Sequence, residues 1–63
     1  MPKANDIWRD ARGRERHVIS VSPANVDYIE VVVGRANVRR TCLPVVWERW
    51  ARKNAAKCIG KCG

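Results

Sequence analysis

The side chains best suited to chemistry in this sequence are arginines and lysines concentrated in its second half. Residues 35–63 carry eight of them against a single acidic residue, Glu48, whereas residues 1–34 carry five cations and five anions. Because one half supplies the whole net charge of +7, the field of the protein is one-sided and attracts polyanions. Nine of the thirteen cations are arginine, whose guanidinium group pairs bidentately with phosphate oxygens. The sequence therefore favours nucleic acid as a partner.

Six of these cations form the candidate nucleic-acid-binding set, and they belong to two predicted elements and the segment that follows them. Three lie off the apolar stripe of a predicted helix, so we expect them to face solvent, and a lysine after the helix extends that face. Two more alternate along the preceding strand. The set is Arg39, Arg40, Arg49, Arg52, Lys53 and Lys57. The alternative interpretation is a solvated charged face that keeps a small protein soluble.

The remaining reactive side chains form no recognisable catalytic or metal site. Cys58 and Cys62 are separated by three intervening residues, a gap that zinc sites use, and Cys42 and His17 are the further candidate ligands. Strong zinc signatures consist of two close pairs, so loose tail thiols are favoured over a metal, and disulfide formation stays open. His17 has no nucleophile or carboxylate at a catalytic spacing. We expect no enzymatic activity, no cofactor and no small-molecule substrate.

Three strands and one helix must position the cations. Residues 16–22, 26–33 and 38–42 are rich in β-branched residues and separated by turn sequences, which predicts an antiparallel meander. Pro44 starts a run of apolar residues at three- and four-residue spacing, which predicts a helix over residues 44–56. Residues 7–8 could add a short edge strand. The expected fold class is α+β, a small curled antiparallel sheet of three to four strands capped by one C-terminal amphipathic helix.

The chain is long enough for one small domain, which we place at residues 6–56. Residues 1–5 are predicted to be a disordered leader and residues 57–63 a flexible basic tail. The start of the chain is polar and no long apolar run follows, so we expect a cytoplasmic protein without membrane contact. The predicted core packs two tryptophans of the helix against the strands, and Tyr28 is the aromatic side chain best placed for an exposed, base-stacking role. The core set is Leu43, Val46, Trp47 and Trp50 against Val18, Val21, Ile29 and Val31.

Two short motifs carry a resemblance to a known group of proteins. They are Trp8-Arg9-Asp10-Ala11-Arg12-Gly13-Arg14 and Thr41-Cys42-Leu43-Pro44, with a valine-rich strand and a Gly-Arg turn between them. Their order over about residues 7–52 resembles small bacteriophage and prophage proteins with a W-x-D-x-x-G-R start, V-x-V strands and a T-x-L-P step before an aromatic helix. One such group, from prophages of enteric bacteria, is a domain of unknown function. The resemblance implies an SH3-like barrel, a phage or prophage origin and a host-cell location, but no activity.

Two functions follow from these expectations. The first is a non-catalytic phage or prophage accessory protein that binds DNA or RNA through the basic helix and the last predicted strand. The alternative is a protein-binding module that docks on a host or phage protein and modulates it, through an unpaired sheet edge or the same basic surface. Charge does not separate them, because an acidic protein is also a polyanion.

Overall fold

The computed structural model describes residues 2–60. They form one five-stranded antiparallel sheet, in the order β4-β3-β2-β1-β5, and one helix. In chain order, the elements are β1 (Ile7–Arg9), β2 (Glu15–Val21), β3 (Val26–Val31), β4 (Val38–Cys42), α1 (Pro44–Lys53) and β5 (Lys57–Gly60). The expected α+β class, the central meander and the single helix are confirmed, and the sheet has five strands instead of three or four.

The prediction of a flexible tail from residue 57 is wrong for Lys57–Gly60. These residues form β5, which pairs with β1 so that Cys58 lies opposite Trp8 and Lys57 opposite Arg9. Two glycines in a short basic segment indicate a loose end, and the partner strand that orders this segment lies about fifty residues earlier in the chain. Residues 61–63 lie outside the described part of the chain.

The prediction of a disordered leader is also wrong for the described residues 2–5. Pro2 is buried, and the backbone N–H of Asn5 donates to the carbonyl of Val18 at 2.9 Å. The buried carboxylate of Asp6 accepts a hydrogen bond from the backbone N–H of Lys3 at 2.9 Å. The start of the chain is therefore held against β2, and β1 is an interior strand. The edges of the sheet are β4 and β5.

The core lies between the sheet and α1, and it is centred on Trp47. This residue is fully buried together with Val26, and Val18 and Tyr28 complete the buried cluster. The rings of Trp8, Tyr28 and Trp50 meet the Trp47 ring edge-on, with centroids 5.9, 5.3 and 5.0 Å away. The expectation that the tryptophans pack in the core is confirmed most clearly for Trp47.

The predicted core is wrong in which face of β3 it uses. Val26 and Tyr28 point to the helix, and Tyr28 is only 4% exposed, whereas Ile29 and Val31 lie on the opposite face. At the start of α1, Leu43 and Val46 are 55% and 39% exposed. Apolar residues occur on both faces of β3, so its sequence has no clean period-two alternation and does not assign the faces of this strand. The exposed, base-stacking role expected for Tyr28 is excluded by its burial.

The helix α1 ends three residues earlier than predicted, in a turn that carries backbone strain. Ala55 has φ = 50°, and the N–H of Ala56 donates to the carbonyl of Ala51 at 2.9 Å. This is the Schellman arrangement, in which glycine normally occupies the left-handed position. At ten residues, α1 is the only helix within residues 2–60, and no helix there is long and apolar enough to cross a membrane.

Replacing Ala55 with glycine should therefore stabilise the protein. A left-handed alanine costs about 1 kcal/mol relative to glycine, so the melting temperature should rise by several degrees. Thermal denaturation followed by circular dichroism measures the change. Ala56→Gly is the matched control and should not raise the melting temperature, because Ala56 has no positive φ. A lower melting temperature for Ala55→Gly would contradict the proposed strain.

Candidate nucleic-acid interface

The solvent face of α1 carries three of the predicted cations. The helix follows the end of β4 directly and reaches the loop between β1 and β2, where the N–H of Ala11 donates to the carbonyl of Asn54 at 2.9 Å. Because Trp47 faces the sheet, helical spacing places Arg49, Arg52 and Lys53 on the outer side. All three are exposed. We call these three residues the helix triad.

The helix triad has no ionic partners in the part of the chain that the structure describes. Within residues 2–60, none of the three side chains forms an ion pair or a side-chain hydrogen bond. Arg52 and Lys53 also lie in the last turn of α1, where positive charge interacts favourably with the helix dipole. The helix triad is therefore a compact positive surface available for an external anion.

The other three predicted cations do not join the helix triad as one surface. Arg40 lies opposite Tyr28 in the sheet and so points to the helix side. Arg39 lies opposite Ile29, and Lys57 lies opposite Arg9, so both point to the face that α1 does not cover. The sheet therefore divides the predicted set, and no single flat surface contacts all six cations.

The two arginines of β4 are also paired with acidic residues of β3. Arg40 forms an ion pair with Glu30, with Nε and Oε2 2.9 Å apart, and Arg39 lies 3.9 Å from Asp27. A hydrogen bond from the Thr41 hydroxyl is the largest cause that lowers the pKa of Asp27, with smaller contributions from Ser20 and Arg39. Asp27 therefore stays ionised, and the acidic partners reduce the net positive charge of β4.

The loop between β1 and β2 brings another cation towards the end of the helix. One carboxylate oxygen of Asp10 accepts the backbone N–H groups of Arg12 and Arg14 at 2.9 and 3.0 Å. The other oxygen forms an ion pair with Nε of Arg14 at 3.5 Å, and Gly13 adopts the left-handed φ of 84° that the turn requires. This geometry accounts for the Asp, Gly and Arg of the first motif. Because Ala11 bonds to Asn54, the neighbouring exposed residue Arg12 lies near the C-terminal end of α1.

Arg16 is a second cation on the helix side that the sequence pattern did not identify. Its guanidinium carbon lies 3.9 Å from the ring centroid of Trp50 and 4.6 Å from that of Tyr28. Burial against these rings lowers the pKa of Arg16 from its usual value, although an arginine remains protonated at neutral pH. The strand pattern could have placed Arg16 on the helix side, because Arg16 and Val18 are two residues apart in β2 and therefore lie on the same face.

The residues considered for zinc are divided by the sheet. His17 lies opposite Ile29 on the uncovered face, where Glu15 accepts hydrogen bonds from it and from Arg9. These bonds lower the pKa of Glu15, and the bond with His17 is the largest cause. Cys58 lies opposite Trp8 on the helix side and is disulfide-bonded, so the prediction of a loose thiol is wrong there. Cys42 is a half-buried free thiol, and Cys62 lies outside the described residues.

Comparison with known proteins adds no identification. No protein-family model, no curated protein and no solved structure matches this chain. The resemblance to phage and prophage proteins therefore stays a prediction. The functional argument depends on the charges and contacts of the chain itself.

Proposed function

We propose that this protein is a non-catalytic accessory protein that binds nucleic acid through the helix triad. The observation that carries the proposal is the absence of ionic partners around Arg49, Arg52 and Lys53 within residues 2–60, although most acidic side chains of the sheet and loops are paired. Three adjacent cations on one side of a helix, unpaired among the described residues, match the repeating negative charge of a phosphate backbone. Arg12 extends this surface at the end of the helix.

The proposed binding mode contacts phosphates and does not read bases. The helix triad contains two guanidinium groups and one ammonium group, which neutralise phosphate oxygens whatever the sequence. Binding through such contacts releases counterions, so affinity falls steeply as salt is added. On duplex DNA, each phosphate contact adds about −0.9 to the slope of the logarithm of the binding constant against the logarithm of the salt concentration. Arg39 and Lys57 contribute little, because they lie on the other side of the sheet.

We also propose that the sheet is an SH3-like barrel of phage or prophage origin, acting in the host cytoplasm. The pairing of β5 with β1 supports the barrel, because it brings the last described strand beside the first. The edge strand β4 favours the alternative function, a protein-binding module. Its five residues pair on one side only, and all but Cys42 are exposed. A partner protein would add a strand at this edge.

The test of the nucleic-acid proposal is a pair of charge-matched double variants. Arg49→Ala/Arg52→Ala removes two charges from the helix triad, and Arg39→Ala/Lys57→Ala removes two charges from the opposite face. Fluorescence anisotropy with labelled duplex DNA, single-stranded DNA and RNA at about 50 and 200 mM salt gives the salt slope. On duplex DNA, we expect the first variant to lower the slope by about 1.8, two phosphate contacts at 0.9 each, and the second to leave it nearly unchanged.

Other outcomes would reject this proposal. Equal weakening by both double variants would show that net charge, and not the helix triad, determines binding. If the unmodified protein binds no probe at 50 mM salt, the nucleic-acid function is wrong. The β4 edge then becomes the leading site, as a surface to which a partner protein would add a strand.

A further inference from the structure

A small cleft lies beside Arg16 at the end of the helix. Its volume is about 70 Å³, and it is lined by Asp10, Arg14, Glu15, Arg16, Glu30 and Trp50. Nη1 of Arg16 is buried without a hydrogen-bond partner, on a guanidinium that packs against the Trp50 and Trp47 rings. Cation–π contact stabilises this orientation of the guanidinium. The Arg16 side chain makes no hydrogen bond or ion pair within residues 2–60.

The acidic residues around the cleft already have partners. Asp10 is paired with Arg14, and Glu30 with Arg40 at 2.9 Å. Glu15 forms an ion pair with Arg9 at 2.7 Å on the uncovered face of the sheet. Each carboxylate is therefore matched by a different arginine. Of the two cations that line the cleft, Arg14 is in an ion pair, whereas Arg16 forms none within residues 2–60, although Glu30 and Asp10 interact with it electrostatically. When Arg9 and Arg40 are counted with the carboxylates they pair, four arginines face three carboxylates here, an excess of one positive charge.

We infer that this cleft is a binding site for one phosphate group, with Arg16 as its main ligand. The inference rests on the proposed nucleic-acid function, which supplies the phosphate. A guanidinium held against Trp50 loses little conformational entropy on binding and presents its remaining N–H donors in a fixed fork. Partial burial strengthens a charge-assisted hydrogen bond relative to one at the surface. The helix triad lacks both features, because its side chains are exposed and pack against no aromatic ring among the described residues.

The position of the cleft connects it to the helix triad. Trp50 lines the cleft, and Lys53 lies three residues further along α1, so their side chains are neighbours on the helix. A nucleic-acid strand that follows the helix triad would reach the cleft at the C-terminal end of α1. The phosphate bound there is either the terminal phosphate of a strand or one of its internal diesters, and the two share the oxygen chemistry that Arg16 recognises.

The Nε–Hε signal of Arg16 in a proton–nitrogen NMR spectrum offers a direct test. The neighbouring indole rings should shift this signal away from those of the other arginines. The first probe is inorganic phosphate, added at constant ionic strength with sodium chloride as the control. The second is a pair of short single-stranded oligonucleotides of the same sequence, one with a 5′-phosphate and one without. Saturable movement of the Arg16 signal with phosphate and with at least one oligonucleotide is the expected result.

The two oligonucleotides distinguish the source of the phosphate. Movement with the 5′-phosphorylated strand alone assigns the site to a terminal phosphate, and equal movement with both assigns it to a backbone diester. Arg16→Lys keeps the charge and removes the fork, so we expect about tenfold weaker affinity for inorganic phosphate. A thermal melt of this variant checks its folding, and the titration of the unmodified protein tests the site without any substitution.

Failure of this inference is distinguishable from failure of the proposed function. If the oligonucleotides move the backbone signals of the helix triad while the Arg16 signal stays still, the cleft is not a phosphate site and the nucleic-acid function stands. If neither region responds to any probe, the cleft is not a phosphate site, and the anisotropy titrations with duplex DNA and RNA decide the nucleic-acid function separately. An Arg16 signal that responds equally to sodium chloride also rejects the site, because it reports ionic strength alone.

Discussion

Replacing Trp47 with alanine is expected to remove most of the free energy of unfolding of this protein. Trp47 is fully buried, and its ring contacts three other aromatic rings with centroids 5.0 to 5.9 Å away. Truncating a buried tryptophan costs about 3–5 kcal/mol, through lost burial and the cavity that remains. A core in a domain this small rarely supplies more than about 3–5 kcal/mol in total. The variant should therefore be largely unfolded or close to it.

Urea and thermal denaturation followed by circular dichroism measure this effect. A loss of 3 kcal/mol corresponds to a drop of at least about 12 °C in melting temperature for a domain of this size. Trp50→Ala is the matched control, because Trp50 lies on the same helix but is only partly buried, and its effect should be clearly smaller. A cooperative melt of Trp47→Ala within a few degrees of the unmodified protein would contradict the position of the core.

The elements of this fold with a regular local pattern were predictable from the sequence. The period of the apolar residues after Pro44 gives the helix, and the turns around Pro23 and Gly34 give the central meander. The faces of β3 were not predictable, because its apolar residues fill both sides. The sequence also could not reveal β5, since a four-residue strand depends on its pairing with β1 and has little pattern of its own.

The candidate site was predictable only within single elements. Helical spacing alone places Arg49, Arg52 and Lys53 together, and the structure agrees with that placement. Arg39 and Lys57 lie on the opposite side of the sheet. This placement was not predictable, because it depends on the register between strands, and a count of charges contains no information about register. Arg12 and Arg16 belong to the half of the chain with no net charge, so counting charges by halves hides them. Their proximity to α1 arises from tertiary contacts.

Asp10→Ala is expected to be the most destabilising change outside the aromatic core. Asp10 is 4% exposed, and its carboxylate accepts two backbone N–H groups and pairs with Arg14. Alanine would leave two amide donors and a cation in a partly buried loop without a partner. Such losses cost about 2–3 kcal/mol, because the donors are desolvated and no water fully replaces the carboxylate. Asp27→Ala is the control, since Asp27 lies on the uncovered face and its loss should cost much less.

The same substitution links the stability of the loop to the proposed interface. Asp10 fixes the turn that places Arg12 beside the end of α1, whereas the helix triad is positioned by the packing of Trp47. At a temperature where Asp10→Ala is still folded, nucleic-acid binding should weaken modestly and keep most of its salt slope. If Asp10→Ala melts like the unmodified protein, its carboxylate does not hold the loop. If the variant is folded but binds no nucleic acid, the loop and not the helix triad is the principal contact.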